Sequence, residues 1–202
     1  MSTPVRPLPP PDFDARPVST WRIPKGSALH RFYPTGLEPE FYDTGRSGRL
    51  NAPDGTFGVL YVAWTPRGAF AETFLREPGR TLLPPDLVAG RSYVVFEALR
   101  PLRIVRIYGR WMAPLGATAE VTASGPAYDV PQAWSAALYA HPSKADGIAY
   151  YARHDNSELC VALFDRARGS LAEVRREPDL DRDWFWELAE RYGVGAAPTG
   201  RI

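Results

Sequence analysis

The sequence has few of the features that mark secreted or membrane proteins. It contains one cysteine in 202 residues, Cys160, so no disulfide can form within the chain, and this favours a reducing compartment. Cys160 lies between Leu159 and Val161 in an apolar run, which indicates a buried thiol. No apolar run approaches the roughly 20 residues of a membrane span, and the N-terminus lacks the apolar segment of a signal peptide. We therefore expect a cytoplasmic protein.

Motifs for metals, phosphate loops and nucleic acids are also missing. The three histidines, His30, His141 and His154, are scattered, and no cysteine–histidine spacing fits a zinc site. The chain has neither a glycine-rich phosphate loop nor the glycine-flanked serine of a nucleophile elbow. Its 24 basic and 23 acidic residues nearly balance, and the basic residues form no stripe with interleaved aromatics. We expect no metal, no cofactor, no membrane and no direct nucleic-acid partner.

The composition is that of one globular domain preceded by an arm. Hydrophobic residues make up 45% of the chain, which is ordinary for a folded protein with a sizeable core. Many of the 21 prolines lie near the N-terminus, so we predict a Pro-rich arm over residues 1–20 and one domain over residues 21–202. Short strand signals mixed with helical periods predict an α+β fold, with a compact mixed sheet and flanking helices.

Residues 49–72 predict a loop, a strand and a helix in succession. The stretch begins with residues that favour tight bends, and residues 57–64 are apolar or aromatic almost throughout, as in a buried strand. Thr65 is suited to cap a helix with Pro66 at its first position. Glu72 then falls on this helix, so a carboxylate is carried next to the end of a buried strand.

Periodicity predicts the other elements. Helical spacing covers residues 130–139, and a last amphipathic helix covers residues 184–192. The link at residues 99–102 suggests a hairpin or a bent strand, and residues 80–90 read as a loop. Further strands are predicted at residues 21–23, 29–33, 91–99, 103–108, 146–152 and 159–164, with a polar turn at 153–157 before the last of them.

Arg31 stands in an unusual place for a charged residue. It lies within the apolar and aromatic segment from Leu29 to Tyr33, and an arginine in such a strand requires an anion or another acceptor. A ligand and a structural ion pair would satisfy it equally well on sequence alone.

Several segments, taken in order, resemble RES-domain proteins. The family is named for an Arg, a Glu and a Ser, and Arg31 matches the Arg and Glu72 the Glu. The resemblance runs from about residue 29 to about residue 166. The matching segments are Arg31 within His-Arg-Phe-Tyr, Gly48–Gly55, Val59–Ala63, Ala69–Glu72, Asp146–Tyr150 and Leu159–Asp165.

The resemblance implies a fold related to the ADP-ribosyltransferase toxins. It also implies a toxin of a type II toxin–antitoxin pair that degrades NAD, by phosphorolysis or hydrolysis. Such a toxin is neutralised by an Xre-like helix-turn-helix antitoxin. NAD is then the substrate, inorganic phosphate is a candidate co-substrate, and homo-oligomerisation stays open.

Cleavage of NAD explains why these residue types matter. Breaking the nicotinamide–ribose bond passes through a cation-like sugar centre, and a nearby carboxylate stabilises the developing charge; Glu72 is the candidate. Guanidinium groups bind phosphate oxygens through paired donors. An aromatic wall can stack on nicotinamide. The candidate catalytic residues are Arg31, Glu72 and Tyr61, and the candidate substrate-binding residues are Arg49, Tyr33, Arg153, Asn156 and Ser157.

One position departs from the family pattern. The family usually has Ser after Asp-Gly-Ile-x-Tyr-x, and this chain has Ala152 there; Ser157, in the same predicted turn, is the candidate replacement. Two alternatives to NAD degradation therefore stay open. One is a catalytically weakened RES-fold binding module, and the other is an enzyme that transfers ADP-ribose to a protein.

Overall fold

The computed structural model describes residues 7–198 except 124 and 126, so residues 1–6 and 199–202 of the predicted arm and domain lie outside the described residues. The helices are α1 Pro66–Phe74, α2 Pro85–Ala89, α3 Glu120–Ala123, α4 Asp129–Ala140 and α5 Asp183–Glu190. The strands are β1 Thr20–Ile23, β2 Ala28–Pro34, β3 Val59–Ala63, β4 Leu82–Leu83, β5 Arg91–Ala98, β6 Leu102–Arg106, β7 Gly147–Ala152, β8 Asp155–Phe164, β9 Leu171–Glu177 and β10 Gly195–Ala196.

Eight strands form one mixed sheet in the order β1-β6-β7-β8-β3-β2-β5-β9. Strands β6 and β7 run parallel, and the other neighbours in this sheet run antiparallel. Strands β4 and β10 form a separate parallel pair. The predicted α+β class, with one compact mixed sheet and flanking helices, is confirmed.

The link between β5 and β6 is a bend and not a hairpin. Strand β5 pairs with β2 and β9, whereas β6 pairs with β1 and β7. The turn between β1 and β2 lies against this link, because Gly26 N–H donates to Ala98 O at 2.8 Å and Ala98 N–H donates to Ser27 O at 3.0 Å. Two bent strands, β1–β2 and β5–β6, therefore run side by side along their whole length. The hairpin alternative was wrong because the ladder partner of each strand is distant in sequence.

Strands β2 and β3 touch at one point and then part. Their register contains the single pair His30 and Ala63, although both strands continue beyond it. Regular pairing would next place Arg31 opposite Val62 and Phe32 opposite Tyr61, yet no ladder pair forms there. The sheet therefore has an opening in its middle, where the backbone groups of β2 and β3 do not pair with each other.

The helices cover one face of the sheet. Phe70 and Phe74 of α1, Trp134 of α4 and Phe185 of α5 belong to the core on this face. The core on the opposite face is built chiefly from strand residues. Its members include Ile23, Leu29, Leu60, Val94, Ile104, Val161 and Leu163.

The predicted start of α1 is confirmed. Thr65 has extended backbone and its side-chain oxygen accepts from Gly68 N–H at 3.0 Å, and Pro66 is the first helical residue. The Thr65 hydroxyl also bonds the buried carboxylate of Glu158 in β8. Because β8 lies beside β3, these contacts fix the helix that carries Glu72 to the centre of the sheet.

The described part of the N-terminal arm packs on the domain. Residues Phe13–Ala15 form a short 3-10 helix, and Phe13 is 3% exposed. Its ring meets Trp134 edge-on, with 5.2 Å between the ring centroids, and also contacts His141. The arm thus contributes a core side chain despite its lack of periodicity.

Two boundaries differ from the sequence prediction. Residues 80–90 hold β4 and α2 in place of a plain loop. The turn between β7 and β8 is shorter than predicted, because β8 already begins at Asp155. Asn156 and Ser157 therefore lie on a strand. In residues 7–198 apart from 124 and 126, no helix is both long and apolar enough to span a membrane.

Candidate active site

A cleft of about 160 Å³ lies where β2 and β3 part. Helix α1 forms one wall, the loop before β3 forms another, and the turn after β7 closes a third side. The cleft brings together Arg31 of β2, Tyr61 of β3, Glu72 of α1, and Arg49 and Arg153 from the two loops. Five of the eight predicted site residues, distant from one another in sequence, therefore share one cavity.

The carboxylate of Glu72 accepts three hydrogen bonds. Arg49 Nη2 donates to Oε2 at 2.8 Å, Tyr150 Oη donates to the same oxygen at 3.3 Å, and the backbone N–H of Arg153 donates to Oε1 at 2.9 Å. Both oxygens are thus held in fixed directions. The three donors come from three separate segments of the chain, so the fold sets the orientation of this carboxylate.

The loop that carries Arg49 is fastened by Tyr61. The Tyr61 hydroxyl accepts from Leu50 N–H at 2.8 Å and donates to Asn51 Oδ1 at 2.9 Å. The Asn51 side chain in turn donates to Asp43 Oδ2 at 2.8 Å. The side chain of Tyr61 therefore both lines the cleft and sets the position of the arginine that meets Glu72.

Helix α4 supports the same loop from outside the cleft. Gln132 Nε2 donates to the carbonyl oxygens of Arg46 at 2.9 Å and Gly48 at 3.1 Å. Ser135 Oγ donates to Leu50 O at 2.6 Å. These bonds satisfy buried carbonyl groups of an irregular segment, which would otherwise be costly to bury.

Arg31 is a buried cation with an incomplete set of partners. Its Nη1 donates to Tyr61 O at 3.3 Å, across the opening between β2 and β3. Its Nε is buried and has no hydrogen-bond partner among the described residues. Burial lowers the pKa of Arg31 to about 10, and the negative charge of Asp43 offsets only part of this effect. A guanidinium in this state would gain free energy by binding an anion.

The pKa of Arg49 shifts in the opposite direction to that of Arg31. Burial is the largest single effect and lowers its pKa, but Glu72, Tyr150 and Tyr61 together outweigh burial, and the net direction is upward. Its Nε is nevertheless buried without a partner, and its guanidinium lies 5.3 Å from the centre of the Tyr150 ring. Arg49 thus keeps free donor capacity while it is paired with Glu72.

The Tyr61, Tyr150 and His30 side chains of the cleft are neutral at physiological pH. Burial raises the pKa of both Tyr61 and Tyr150, and Glu72 adds to the shift. Burial, with the charge of Arg175, lowers the pKa of His30 to about 4. The formal charges lining the cleft are therefore those of Glu72 and the arginines.

The structure does not bring Tyr33, Asn156 or Ser157 to the cleft. Tyr33 is 3% exposed and packs in the core on the opposite face of the sheet. Asn156 and Ser157 are exposed on β8, where Ser157 Oγ donates to Asp155 Oδ1 at 2.6 Å. Because the β7–β8 turn is short, Ser157 does not replace the hydroxyl missing at Ala152, whose own side chain is buried.

Sequence reasoning missed several cleft residues. Tyr150, which contacts Glu72, belongs to the Asp146–Tyr150 motif but was not singled out. Arg76 lies just beyond the end of α1 and bonds back to it, because its Nε donates to the Glu72 backbone carbonyl at 2.8 Å. His30, Thr73, Tyr128 and His154 also line the cleft. In the part of the chain that the structure describes, no group of three or more His, Cys, Asp or Glu residues could hold a metal ion.

Comparison with protein families places this chain in a known family. The RES domain model matches residues 19–186, which is most of the chain, and the protein belongs to the RES-domain family. A search of curated proteins gives no match.

A solved structure shares the fold. A chain of the crystal structure of the M. tuberculosis MbcT–MbcA toxin–antitoxin complex is similar with a TM-score of 0.64 and 14% sequence identity. The match covers 88% of this chain and 94% of that chain. At this identity the likeness shows the fold alone. The expected relation to ADP-ribosyltransferase toxins stays a prediction.

Proposed function

We propose that this RES-domain protein is a toxin that cleaves the nicotinamide–ribose bond of NAD. The observation that carries the proposal is that Arg31 and Glu72 line the same cleft. A cation for the diphosphate and a carboxylate for the sugar are the two charges that this reaction needs. The described lining of the cleft contains one carboxylate, that of Glu72, among several arginines.

Glu72 acts on the ribose in this proposal. As the bond from C1″ to the nicotinamide nitrogen breaks, the bonding electron pair moves into the pyridinium ring, and nicotinamide leaves as a neutral molecule. Positive charge develops on the sugar, and a fixed carboxylate stabilises it. The donors from Arg49, Tyr150 and Arg153 N–H hold Glu72 in place before the substrate arrives.

Arg31 acts on the diphosphate. Its buried, partly unpartnered guanidinium would form charge-assisted bonds to phosphate oxygens and so recover the free energy lost on burial. The cleft volume of about 160 Å³ is below the roughly 300–1,000 Å³ of common ligand sites. The reacting end of NAD therefore enters the cleft, and the adenosine end lies over its rim.

The acceptor is inorganic phosphate or water. Incubation of the purified protein with NAD, with and without phosphate, separates the outcomes by product. ADP-ribose-1″-phosphate indicates phosphorolysis, free ADP-ribose indicates hydrolysis, and a labelled protein indicates ADP-ribose transfer. Unchanged NAD in the presence of measurable NAD binding indicates the binding module instead, the alternative that Ala152 favours.

The variant Glu72→Gln tests the central assignment. An amide can still accept from Arg49, so the fold is retained, but the negative charge is gone. We expect NAD loss to fall below detection while the circular dichroism spectrum is unchanged. Glu77→Gln, an exposed carboxylate paired with Arg80, is the matched control and keeps wild-type activity. Turnover retained in Glu72→Gln would remove Glu72 from the mechanism.

We further propose that an antitoxin of the Xre-like class neutralises this toxin in the cytoplasm, where NAD is abundant. The family membership and the fold shared with a chain of a toxin–antitoxin complex support a protein partner. Co-expression with the product of an adjacent reading frame that encodes a small helix-turn-helix protein tests this proposal. Rescue of growth supports it, and continued toxicity counts against that partner. Size-exclusion chromatography of the toxin alone tests homo-oligomerisation.

A further inference from the structure

Two arginines at the mouth of the cleft are both anchored to Glu72. Arg76 Nε donates to the backbone carbonyl of Glu72 at 2.8 Å, and the backbone N–H of Arg153 donates to Glu72 Oε1 at 2.9 Å. Each of the two arginines uses a single N–H group for its bond to Glu72. The Nη atoms of Arg76 and the whole guanidinium of Arg153 form no hydrogen bond or ion pair with the described residues.

Two other arginines near helix α1 are neutralised. Arg80 pairs with Glu77, and Arg67 pairs with Glu158 at 2.7 Å. Arg76 and Arg153 have no such partner, although both line the cleft. Both are bonded to Glu72, whose carboxylate Arg49 already engages at 2.8 Å. An unneutralised positive charge therefore surrounds the cleft mouth.

The electrostatics at His154 agree with this arrangement. Burial lowers the pKa of His154 most, and repulsion from Arg153 lowers it further; Glu72 raises it, and smaller effects from Arg49 and Arg76 lower it. Three guanidinium groups thus act together on one imidazole beside Glu72. A cluster of guanidinium groups of this kind favours an anion.

The two arginines at the cleft mouth, Arg76 and Arg153, differ in position from the two inside it, Arg31 and Arg49. Arg31 and Arg49 are largely buried, each with a buried Nε, and they face the space into which the reacting end of NAD would enter. Arg76 and Arg153 are exposed and lie outside the space that the reacting end of NAD would occupy. Two guanidiniums with free donors suit the several oxygens of one tetrahedral phosphate.

We propose that Arg76 and Arg153 form a second anion subsite, which binds one phosphate dianion in addition to the diphosphate held inside the cleft. As a subsite of the enzyme it rests on the proposed NAD cleavage, although phosphate binding itself is testable without NAD. Two ligands carry such a phosphate dianion: free inorganic phosphate, and NADP through its 2′-phosphate. Phosphate bound there lies beside Glu72, through which both arginines are anchored.

The test measures binding of inorganic phosphate to the full chain by isothermal titration calorimetry at constant ionic strength, without NAD. The variants Arg76→Gln and Arg153→Gln each remove one charge. Arg153→Gln keeps the backbone N–H bond to Glu72, whereas Arg76→Gln also removes the Nε bond to the Glu72 carbonyl; Arg80→Gln is the matched control. We expect each of the two variants to weaken phosphate binding at least about tenfold, and the control to bind as wild type does. No phosphate binding to wild type, or equal binding in all variants, would overturn the subsite.

Two further arms identify the source. If free phosphate is the ligand, phosphate binds equally well to protein saturated with a non-hydrolysable NAD analogue. If the 2′-phosphate is the ligand, NADP binds more tightly than NAD and this preference is lost in both variants. Either result supports the subsite. A protein that binds phosphate through Arg76 and Arg153 but leaves NAD intact would contradict the proposed function and not the subsite.

Discussion

Arg49 and Glu72 form a 2.8 Å ion pair whose side chains are 10% and 20% exposed, respectively. The pair joins the loop before β3 to helix α1, and it lies inside the cleft. A pair this shielded from water is screened little by salt. The position and orientation of the Glu72 carboxylate are therefore set by the fold before a substrate binds.

Replacement of Arg31 should separate stability from function. Burial lowers the pKa of Arg31 to about 10, so its charge opposes folding at neutral pH. We expect Arg31→Met to raise the free energy of unfolding by about 1 kcal/mol or more and to weaken NAD binding strongly. Urea denaturation and calorimetry measure the two effects. Arg22→Met, at an exposed strand position, should change neither. A destabilised Arg31→Met would show that the bond to Tyr61 O outweighs the burial of charge.

The hydroxyl of Tyr61 has a role that is separable from its ring. Tyr61→Phe keeps an aromatic surface but removes the bonds to Leu50 N–H and Asn51 Oδ1. We expect a loss of about 1–3 kcal/mol of stability and lower turnover, because the loop that carries Arg49 is released. Tyr151→Phe, at an exposed position, is the control. If Tyr61→Phe is as stable and as active as wild type, the ring alone accounts for the role of this residue.

Gly48 is required by close packing inside the site. A Cβ at this position would overlap Asn51 Oδ1 and lie 2.8 Å from the Tyr61 hydroxyl. We expect Gly48→Ala to destabilise the protein by about 1–3 kcal/mol and to impair NAD turnover. Gly36→Ala, where nothing lies within 4 Å of the added Cβ, should be neutral or slightly stabilising. Equal melting temperatures for the two variants would contradict this account.

Phe13 should behave as a core residue although it belongs to the N-terminal arm. Its ring is 3% exposed and packs against Trp134. We expect Phe13→Ala to lower the free energy of unfolding by roughly 3 kcal/mol, as measured by urea denaturation. Leu8→Ala, at a half-exposed side chain of the same arm, should have little effect. A small change for Phe13→Ala would mean that the arm is not part of the folding unit.

Local sequence signals predicted the structure correctly where the structure depends on a single helix or strand. Thr65 and Pro66 identified the start of α1, because a cap and a fixed proline φ act within a few residues. The linkage at residues 99–102 could not be decided in the same way. Whether the chain turns back or bends there depends on which strands pair with β5 and β6. Strand β5 pairs with β2, and strand β6 pairs with β1.

The candidate site shows the same division. Arg31 and Glu72 were identified by family resemblance, whereas Tyr150 and Arg76 emerged only from the arrangement of β7 and α1 around the cleft. Ser157 was a reasonable replacement for the missing serine by sequence distance alone. The early start of β8 at Asp155 places its hydroxyl on Asp155 instead.

The sequence by itself determined the family, the α+β class and the helix that carries Glu72, because these follow from motifs and periodicities that each span a short stretch. Only the tertiary structure decided that β2 and β3 part after His30 and Ala63 and that Arg31, Arg49 and Glu72 line the resulting cleft. The physical reason is that strand pairing and burial are set by partners distant in sequence.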